Sequence, residues 1–472
     1  MQPQLETQKL SHCSPPLEAK LAPWMRSLLE KPLLISDWLN NFGSPCHVVY
    51  TPEFHRNVHD LISPLKARGL EGSLFFARKA NKLSCFVSEA KRAKIGVDTA
   101  SINELRETLA CGIPPQNVVF TAIGKNAAMM QEAIAKDCLL VIENEDELQI
   151  LSQLASQHEK QIRIGLRFSG FKSGATIIFS RFGLPIGDAA AIIERLRFHQ
   201  NIKIEILHAH LDRYDTSERS NAARQLMQVA DYAAQHGKAV DGIDMGGGIL
   251  MRYLEHEKQW LEFQQTLIAA VKGEEDSFTY LADGLGFYKV GNEIAGKADF
   301  YPAWNNLSKE RFINAILDHN SDGSSLHSQL RDRNLKLYFE PGRALLDNVG
   351  MTFATVAFRK RDTLGNLLIG LSMNRMNLRP FRAEFCSDPI FIARGPRKQC
   401  NEGAFIVGNL CSEGDTIFRR NFALTFMPEL GDLIAFANSA GYLAHHMEIG
   451  THGNSLPANL LFDPASGKVE AL

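Results

Sequence analysis

Leu74–Phe120 reads LFFARKANKLSCFVSEAKRAKIGVDTASINELRETLACGIPPQNVVF. Three short apolar runs stand out at LFFARKA from Leu74, IGVDTA from Ile95 and NVVFTA from Asn117. Between the last two lies INELRETLACG, whose apolar residues recur every three or four positions, the spacing of one helical face. Outward from this stretch the rhythm continues with LLVIEN from Leu139, IRIGLRF from Ile162, IEILHAHL from Ile204, VDGIDMGGG from Val240 and KLYFEPGR from Lys336. DELQILSQLASQ has helical spacing, EFHRNVHDLISPLKARG leads into the first run, and Gly112 and Gly237 are helix stops. Runs nearly continuous in apolar residues suit a parallel sheet buried on both faces. Eight of them alternating with helices predict an α/β fold, a (β/α)8 barrel.

The rhythm fails once. Gly248 and Glu340 are separated by roughly 90 residues, far more than one crossover needs. That stretch holds EKQWLEFQQTLIAAV, DGLGFYKVGNEIAGKADFYPAW and KERFINAILDH, too apolar and aromatic for a disordered linker. It reads as an ordered insertion, about residues 250–335, over one rim of the barrel. Beyond about residue 350, MTFATVAFRK, LLIGLSM, GAFIVG and DLIAFAN are separated by turn residues, the pattern of an antiparallel β domain. The expected organisation is an N-terminal segment, 1–45, packing with that domain; a barrel, 46–349; and the β domain, 350–472.

Composition narrows the function. The 472 residues are 45% hydrophobic and 22% charged, ordinary for a soluble globular protein. Lys+Arg at 51 against Asp+Glu at 53 leaves a net charge of −2, so no basic field recruits nucleic acid. No apolar run is long enough for a membrane span, and the N-terminus lacks the pattern of a signal peptide. The eight cysteines are scattered without C-x-x-C spacing, which argues against a disulfide framework or cysteine zinc site and fits a cytoplasmic location.

Barrel enzymes carry their chemistry at the carboxyl ends of the strands. Those ends hold Arg78-Lys79, Asp98, His208 and His210, Gly246-Gly247-Gly248, and Glu340 with Arg343. Lys79 follows an apolar strand; it is either a solvated strand-end lysine or a desolvated Schiff-base residue. The glycine triplet is either a tight turn or an anion cradle of backbone N–H groups. Glu340-Pro341-Gly342-Arg343 is either a turn with a surface ion pair or a carboxylate and guanidinium facing a ring nitrogen and a phosphate. His208 and His210 project the same way from one strand, as metal ligands or as a cover for a flat cofactor. No other strand end carries a histidine, so no metal is expected.

In this order, the elements resemble the fold-type III pyridoxal-phosphate decarboxylases, which include the diaminopimelate, ornithine and arginine decarboxylases. ARKANK resembles the lysine motif, GVDTASINEL the second-strand motif, SRFGL at Ser180–Leu184 the S-K-F-G segment, and HAHLD the stacking-histidine motif. DMGGG and EPGR resemble the phosphate loop and the ring-nitrogen segment. GNLCSEGD resembles the cysteine motif, LRP at Leu378–Pro380 a substrate-contact segment and NSAGY a phosphate contact. The insertion sets the chain in a divergent, Y4yA-like subgroup.

The resemblance implies pyridoxal 5'-phosphate as cofactor and removal of the α-carboxylate from an amino acid or amino-acid conjugate. Lys79 becomes the Schiff-base lysine, and Cys411 the acid that reprotonates the α-carbon. His210, Gly246, Gly247, Gly248, Glu340, Arg343 and Tyr442 become cofactor contacts; Arg379, Ser412, Glu413 and Asp415 become substrate contacts. It also implies a homodimer with shared active sites. A glutamate facing the ring nitrogen makes a stronger electron sink than the arginine found in alanine racemase, which favours decarboxylation over racemisation. Ser412 departs from the glutamate of diaminopimelate enzymes and the aspartate of ornithine enzymes, and H-x-G-S becomes H-L-D-R, with Arg213. With Arg213, Arg375 and Arg379 nearby in the motifs, a neutral or anionic distal group is expected, as in siderophore-type citryl conjugates. The alternatives are a diaminopimelate decarboxylase of lysine biosynthesis, a fold-type III racemase, a non-catalytic pyridoxal-phosphate carrier, and a metal-dependent barrel hydrolase built on His208 and His210.

Overall fold

In the computed structural model, which describes residues 13–321, 323–378 and 383–472, each of the eight apolar runs contributes a strand. They are β1 (Gly72–Ala77), β2 (Gly96–Thr99), β3 (Val118–Phe120), β4 (Leu139–Ile142), β5 (Ile162–Ser169), β6 (Ile202–Ala209), β7 (Gly242–Asp244) and β8 (Lys336–Phe339). Every neighbouring pair is parallel, and β8 returns to β1, so the sheet closes into a (β/α)8 barrel. The runs are apolar throughout because both faces are covered: Leu74, Phe76, Val97, Val119, Leu140, Leu166, Leu207, Ile243 and Leu337 are all buried. The helix after β2 starts at Ser101, whose side chain accepts from Glu104 N–H, and the long helix Thr216–Gln235 is capped by Asp215.

The chain divides into two compact units. One joins residues 51–251 and 307–347 and holds the barrel; the other joins residues 1–50, 252–306 and 348–472. In the second unit the sheet comprises Cys46–Val49, β9 (Gly350–Arg361), β10 (Leu367–Leu371), β11 (Gln399–Val407), β12 (Thr416–Phe426), β13 (Leu433–Ala437), β14 (Ala458–Asp463) and shorter strands. Pairing is mostly antiparallel. Two pairs are parallel, Cys46–Val49 with β14 and β10 with β11. Helices Pro23–Leu29 and Pro32–Phe42 bury Trp24, Met25, Leu28, Ile35, Trp38 and Leu39 against Cys46, Val48, Phe353, Ala435 and Phe462. Each such large apolar side chain contributes about 1.5–3 kcal/mol.

The expected insertion is shared between the two units. Residues 252–306 fold with the β unit, whereas 307–347 return to the barrel unit. The physical cause is a paired apolar and ionic attachment. Helix Glu257–Lys272 buries Trp260, Phe263 and Leu267, one face at helical spacing, together with Leu17, Phe278, Leu285 and Cys386. Arg419 of β12 reaches Asp283 (3.2 Å), Asp299 (3.3 Å) and Glu384 (3.4 Å).

Candidate active site at the barrel mouth

The barrel brings Lys79, Asp98, His208, His210, the glycine triplet and Glu340 to the carboxyl ends of its strands. After β1 a single 3₁₀ turn, Arg78–Ala80, carries Lys79. Buried Arg78 anchors that turn by donating to Glu104 O (2.9 Å), Lys82 O (3.2 Å) and the Glu107 carboxylate. Lys79 Nζ lies 3.3 Å from Asp98 Oδ2, and the other Asp98 oxygen accepts from the Thr121 hydroxyl. Asp98 is fully buried; desolvation and nearby Glu340 push its carboxyl up, against the pull of Lys79 and Thr121.

Glu340 follows β8 and is 1% exposed. Its backbone N–H donates to Gly246 O at 2.9 Å, joining the ends of β7 and β8. Oε1 lies 3.3 Å from His208 Nε2, and Oε2 3.7 Å from His210 Nδ1. Burial alone would raise this carboxyl, but His208 and Lys79 outweigh it and hold it well below the usual carboxylate range. Glu340 is therefore an anion, and its Oε1 makes no aligned hydrogen bond among the described residues.

His210 lies one residue past β6. Gly247 N–H donates to its Nδ1 at 3.3 Å, whereas the 3.7 Å to Glu340 is too long for a hydrogen bond, so Nδ1 carries the lone pair. Desolvation lowers the His210 pKa to about 4, so the ring is neutral at neutral pH. A neutral, flat, partly exposed ring fits a stacking surface.

The glycine turn has no room for side chains. A Cβ on Gly246, at φ +62°, would stand 2.6 Å from His210 Nδ1; one on Gly247 would stand 2.7 Å from Glu340 O; and one on Gly248, at φ +78°, would collide with Arg219. Asp244 Oδ1 accepts from Gly246 N–H at 2.8 Å. Its other oxygen is buried without a hydrogen-bond partner among the described residues, and burial with nearby Glu340 pushes this carboxyl well up. Behind the turn, Arg219 is 1% exposed and donates to Gly247 O, Leu211 O and Arg213 O, each at 2.9 Å. Arg343 is half-buried in the turn after β8.

Within the β unit, Cys411, Ser412 and Glu413 form an exposed turn. Asp415 is 4% exposed, and its two oxygens accept from Arg375 N–H and Leu410 N–H, both at 2.8 Å. Its carboxylate thus shapes the loop that carries Cys411. Tyr442 is half-buried at φ +61°, edge-on to His446 at 5.8 Å. Arg379 lies outside the described residues. Arg213 is exposed and paired with Glu218 at 2.9 Å.

Thr121, Asp244, Arg219 and Arg167 were not singled out from sequence as site residues. Arg167 on β5 lies 3.8 Å from Glu143 and 4.8 Å over the Phe182 ring. Asp244 had a signal in DMGGG; Arg219 had none, because its contacts are set by how a helix packs behind the turn. A cavity of about 500 Å³ opens at the opposite, amino-terminal end of the barrel, lined by Gly72, Phe75, Gly96 and Tyr338 among others. The clustered titratable groups mark the carboxyl end as the chemical one.

Residues 54–279 match the family described as pyridoxal-dependent decarboxylase, pyridoxal binding domain. The chain is 28% identical over 473 residues to the uncharacterized protein y4yA of Sinorhizobium fredii, covering 98% of this chain and 97% of that protein. It is 23% identical over 413 residues to the diaminopimelate decarboxylase of Zymomonas mobilis, covering 85% and 83%. Among solved structures, diaminopimelate decarboxylase from Helicobacter pylori, an I148L mutant complexed with L-lysine, superposes with a TM-score of 0.68 at 17% identity, covering 92% of this chain and 95% of that one. The site fits the family's cofactor: a lysine beside a buried carboxylate, a neutral histidine face, an anionic glutamate with a buried unpaired acceptor, and a glycine cradle that a Cβ would fill. Residues 54–279 thus carry the pyridoxal-binding domain of the pyridoxal-dependent decarboxylases, and pyridoxal phosphate is the cofactor that this family implies.

Proposed function

We propose that the chain removes the α-carboxylate of an amino-acid-type substrate whose distal end is neutral or anionic, such as an acylated amino acid. The observation that carries the choice of decarboxylation is Glu340, held anionic in a buried setting with an oxygen left for a donor. Bound pyridoxal phosphate supplies an electron sink for the pair left on the α-carbon, and a protonated ring nitrogen deepens that sink. Glu340 would hold that proton on the ring. Lys79, whose charge Asp98 balances, would anchor the cofactor and then serve as base; His210 would cover the ring face; Gly246–Gly248 and Arg343 would hold the phosphate. Cys411 would deliver the proton to the α-carbon, with Asp415 fixing its turn and Tyr442 adding a phosphate contact. In the expected assembly, a cytoplasmic homodimer, Cys411 enters the neighbouring site.

The substrate class is supported by Ser412, which follows the cysteine where relatives of known substrate carry a carboxylate, and by the use of both Asp415 oxygens on backbone N–H groups. A dicationic amino acid would meet no dedicated carboxylate there except Glu413. The diaminopimelate alternative is favoured by the names of the 22–24% identical relatives. Carbon dioxide release from the holoenzyme, measured over diaminopimelate, ornithine, lysine, arginine, glutamate and citryl conjugates of serine and diaminopropionate, separates them. Release with highest kcat/KM on a conjugate or on glutamate is expected; best turnover of diaminopimelate or ornithine would refute the substrate class.

A further inference from the structure

The β unit holds a second cluster of metal-ligating groups. His47, on the strand Cys46–Val49, and His445 and Glu448, on the segment after β13, each offer one ligand atom, and the three atoms lie within 4.8 Å of one another. His47 is 1% and His445 8% exposed, and Glu448 is half-buried.

The surroundings fix how the two imidazoles face. His47 Nδ1 lies 2.8 Å from Thr352 Oγ1, and that hydroxyl donates onward to Ser439 Oγ at 2.8 Å. With its proton committed to Ser439, Thr352 accepts, so His47 carries its proton on Nδ1 and its lone pair on Nε2. His445 Nε2 lies 2.5 Å from Asn459 Oδ1, an acceptor only, so His445 carries its proton on Nε2 and its lone pair on Nδ1. Both outer nitrogens are thus engaged by oxygens from neighbouring strands and turns. This is the outer-shell arrangement that orients histidine ligands and raises their basicity.

The segment is also conformationally constrained. Before the two ligands it carries two non-glycine residues in the left-handed region, Asn438 at φ +57° and Tyr442 at φ +61°. Such backbone persists where the surroundings over-determine it. Asn438 Oδ1 accepts from Asn348 N–H at 3.0 Å, and its amide donates to Lys20 O at 3.1 Å, which anchors one end.

We propose that His47, His445 and Glu448 bind a divalent first-row transition ion, Zn²⁺ by donor class, which ties the Tyr442 segment to the strand Cys46–Val49. Two imidazoles and one carboxylate are borderline donors that suit zinc and not calcium or magnesium. Ligand atoms on a tetrahedral zinc ion stand about 3.4 Å apart, and the present separations all lie within 4.8 Å. Water completes the fourth position. The cluster belongs to a different compact unit from the His208–His210–Glu340 group.

The test uses protein saturated with pyridoxal phosphate, stripped by a chelator and titrated with Zn²⁺, with metal content measured after gel filtration. One zinc retained per chain is expected, with at least tenfold weaker binding in Glu448→Gln and in His445→Gln. Glu340→Gln should retain its zinc. Co²⁺ should give the visible bands of a four-coordinate site in the parent protein and lose them in Glu448→Gln. Melting temperature of the metal-free forms checks that Glu448→Gln is folded. Absence of stoichiometric zinc in the folded parent, equal retention in Glu448→Gln and His445→Gln, or loss in Glu340→Gln instead would each overturn the site.

Discussion

At the residue scale, the chemistry depends on how burial and neighbours divide one proton-rich mouth among Lys79, Asp98, Asp244, His210 and Glu340. Glu340 is the anion because His208 and Lys79 face it; Asp98 and Asp244 are pushed the other way by burial and by Glu340 itself. Glu340→Gln keeps the shape but loses the charge. A charge-assisted hydrogen bond is worth about 1.5–3 kcal/mol, so kcat should fall about 10–100-fold with a smaller change in KM, read by steady-state carbon dioxide release. His210 supplies a prediction in pH. Its pKa is about 4 in the fold against an ordinary 6.5, so between these the unfolded chain binds a proton that the folded one does not. Stability of the cofactor-free protein therefore falls as pH drops from 6.5 toward 4, with a slope of up to about 1.4 kcal/mol per pH unit from this group. Urea unfolding of parent and His210→Gln across that range checks it: the parent should lose stability relative to the variant on acidification. Lys79, His210, the glycines and Glu340 were legible in sequence because they end strands and sit in motifs. Arg219 and Thr121 were not, since each acts through a contact made only by folding.

At the scale of elements, the phosphate-loop candidate is a composite of β7, the glycine turn and the helix Thr216–Gln235. Arg219 projects from that helix and satisfies three carbonyls that would otherwise be buried and short of donors. Arg219→Met should lower stability by about 2–4 kcal/mol and weaken cofactor binding. Gly247→Ala places a methyl 2.7 Å from Glu340 O, so it should weaken cofactor binding with a smaller effect on melting. Fluorescence titration of the apo forms with pyridoxal phosphate, beside their thermal melts, measures both effects. The eight strands were legible because burial on both faces of a parallel sheet demands unbroken apolar runs. The insertion was legible as an ordered element, since Trp260, Phe263 and Leu267 mark one buried face. Its partner was not: an apolar stripe specifies that something covers it, and the β unit's Arg419 network decided what.

At the scale of the whole molecule, the Lys79 group and the Cys411 turn belong to two different compact units. The proposed dimer makes a distinct prediction for them. Lys79→Ala and Cys411→Ser should each be nearly inactive, yet mixing them after subunit exchange should restore up to about a quarter of parental activity, through one intact site per mixed dimer. No recovery on mixing would count against shared sites. The described residues contain no helix long and apolar enough to cross a membrane. None of the eight cysteines forms a disulfide. The most direct measurement of the central claim follows carbon dioxide release and α-proton exchange together, using holoenzyme in D₂O with the substrate panel. A buried anionic Glu340 predicts carbon dioxide release with one deuterium entering the α-carbon of the product amine. Deuterium entering the unchanged amino acid without carbon dioxide release would contradict the account and make the site that of a racemase.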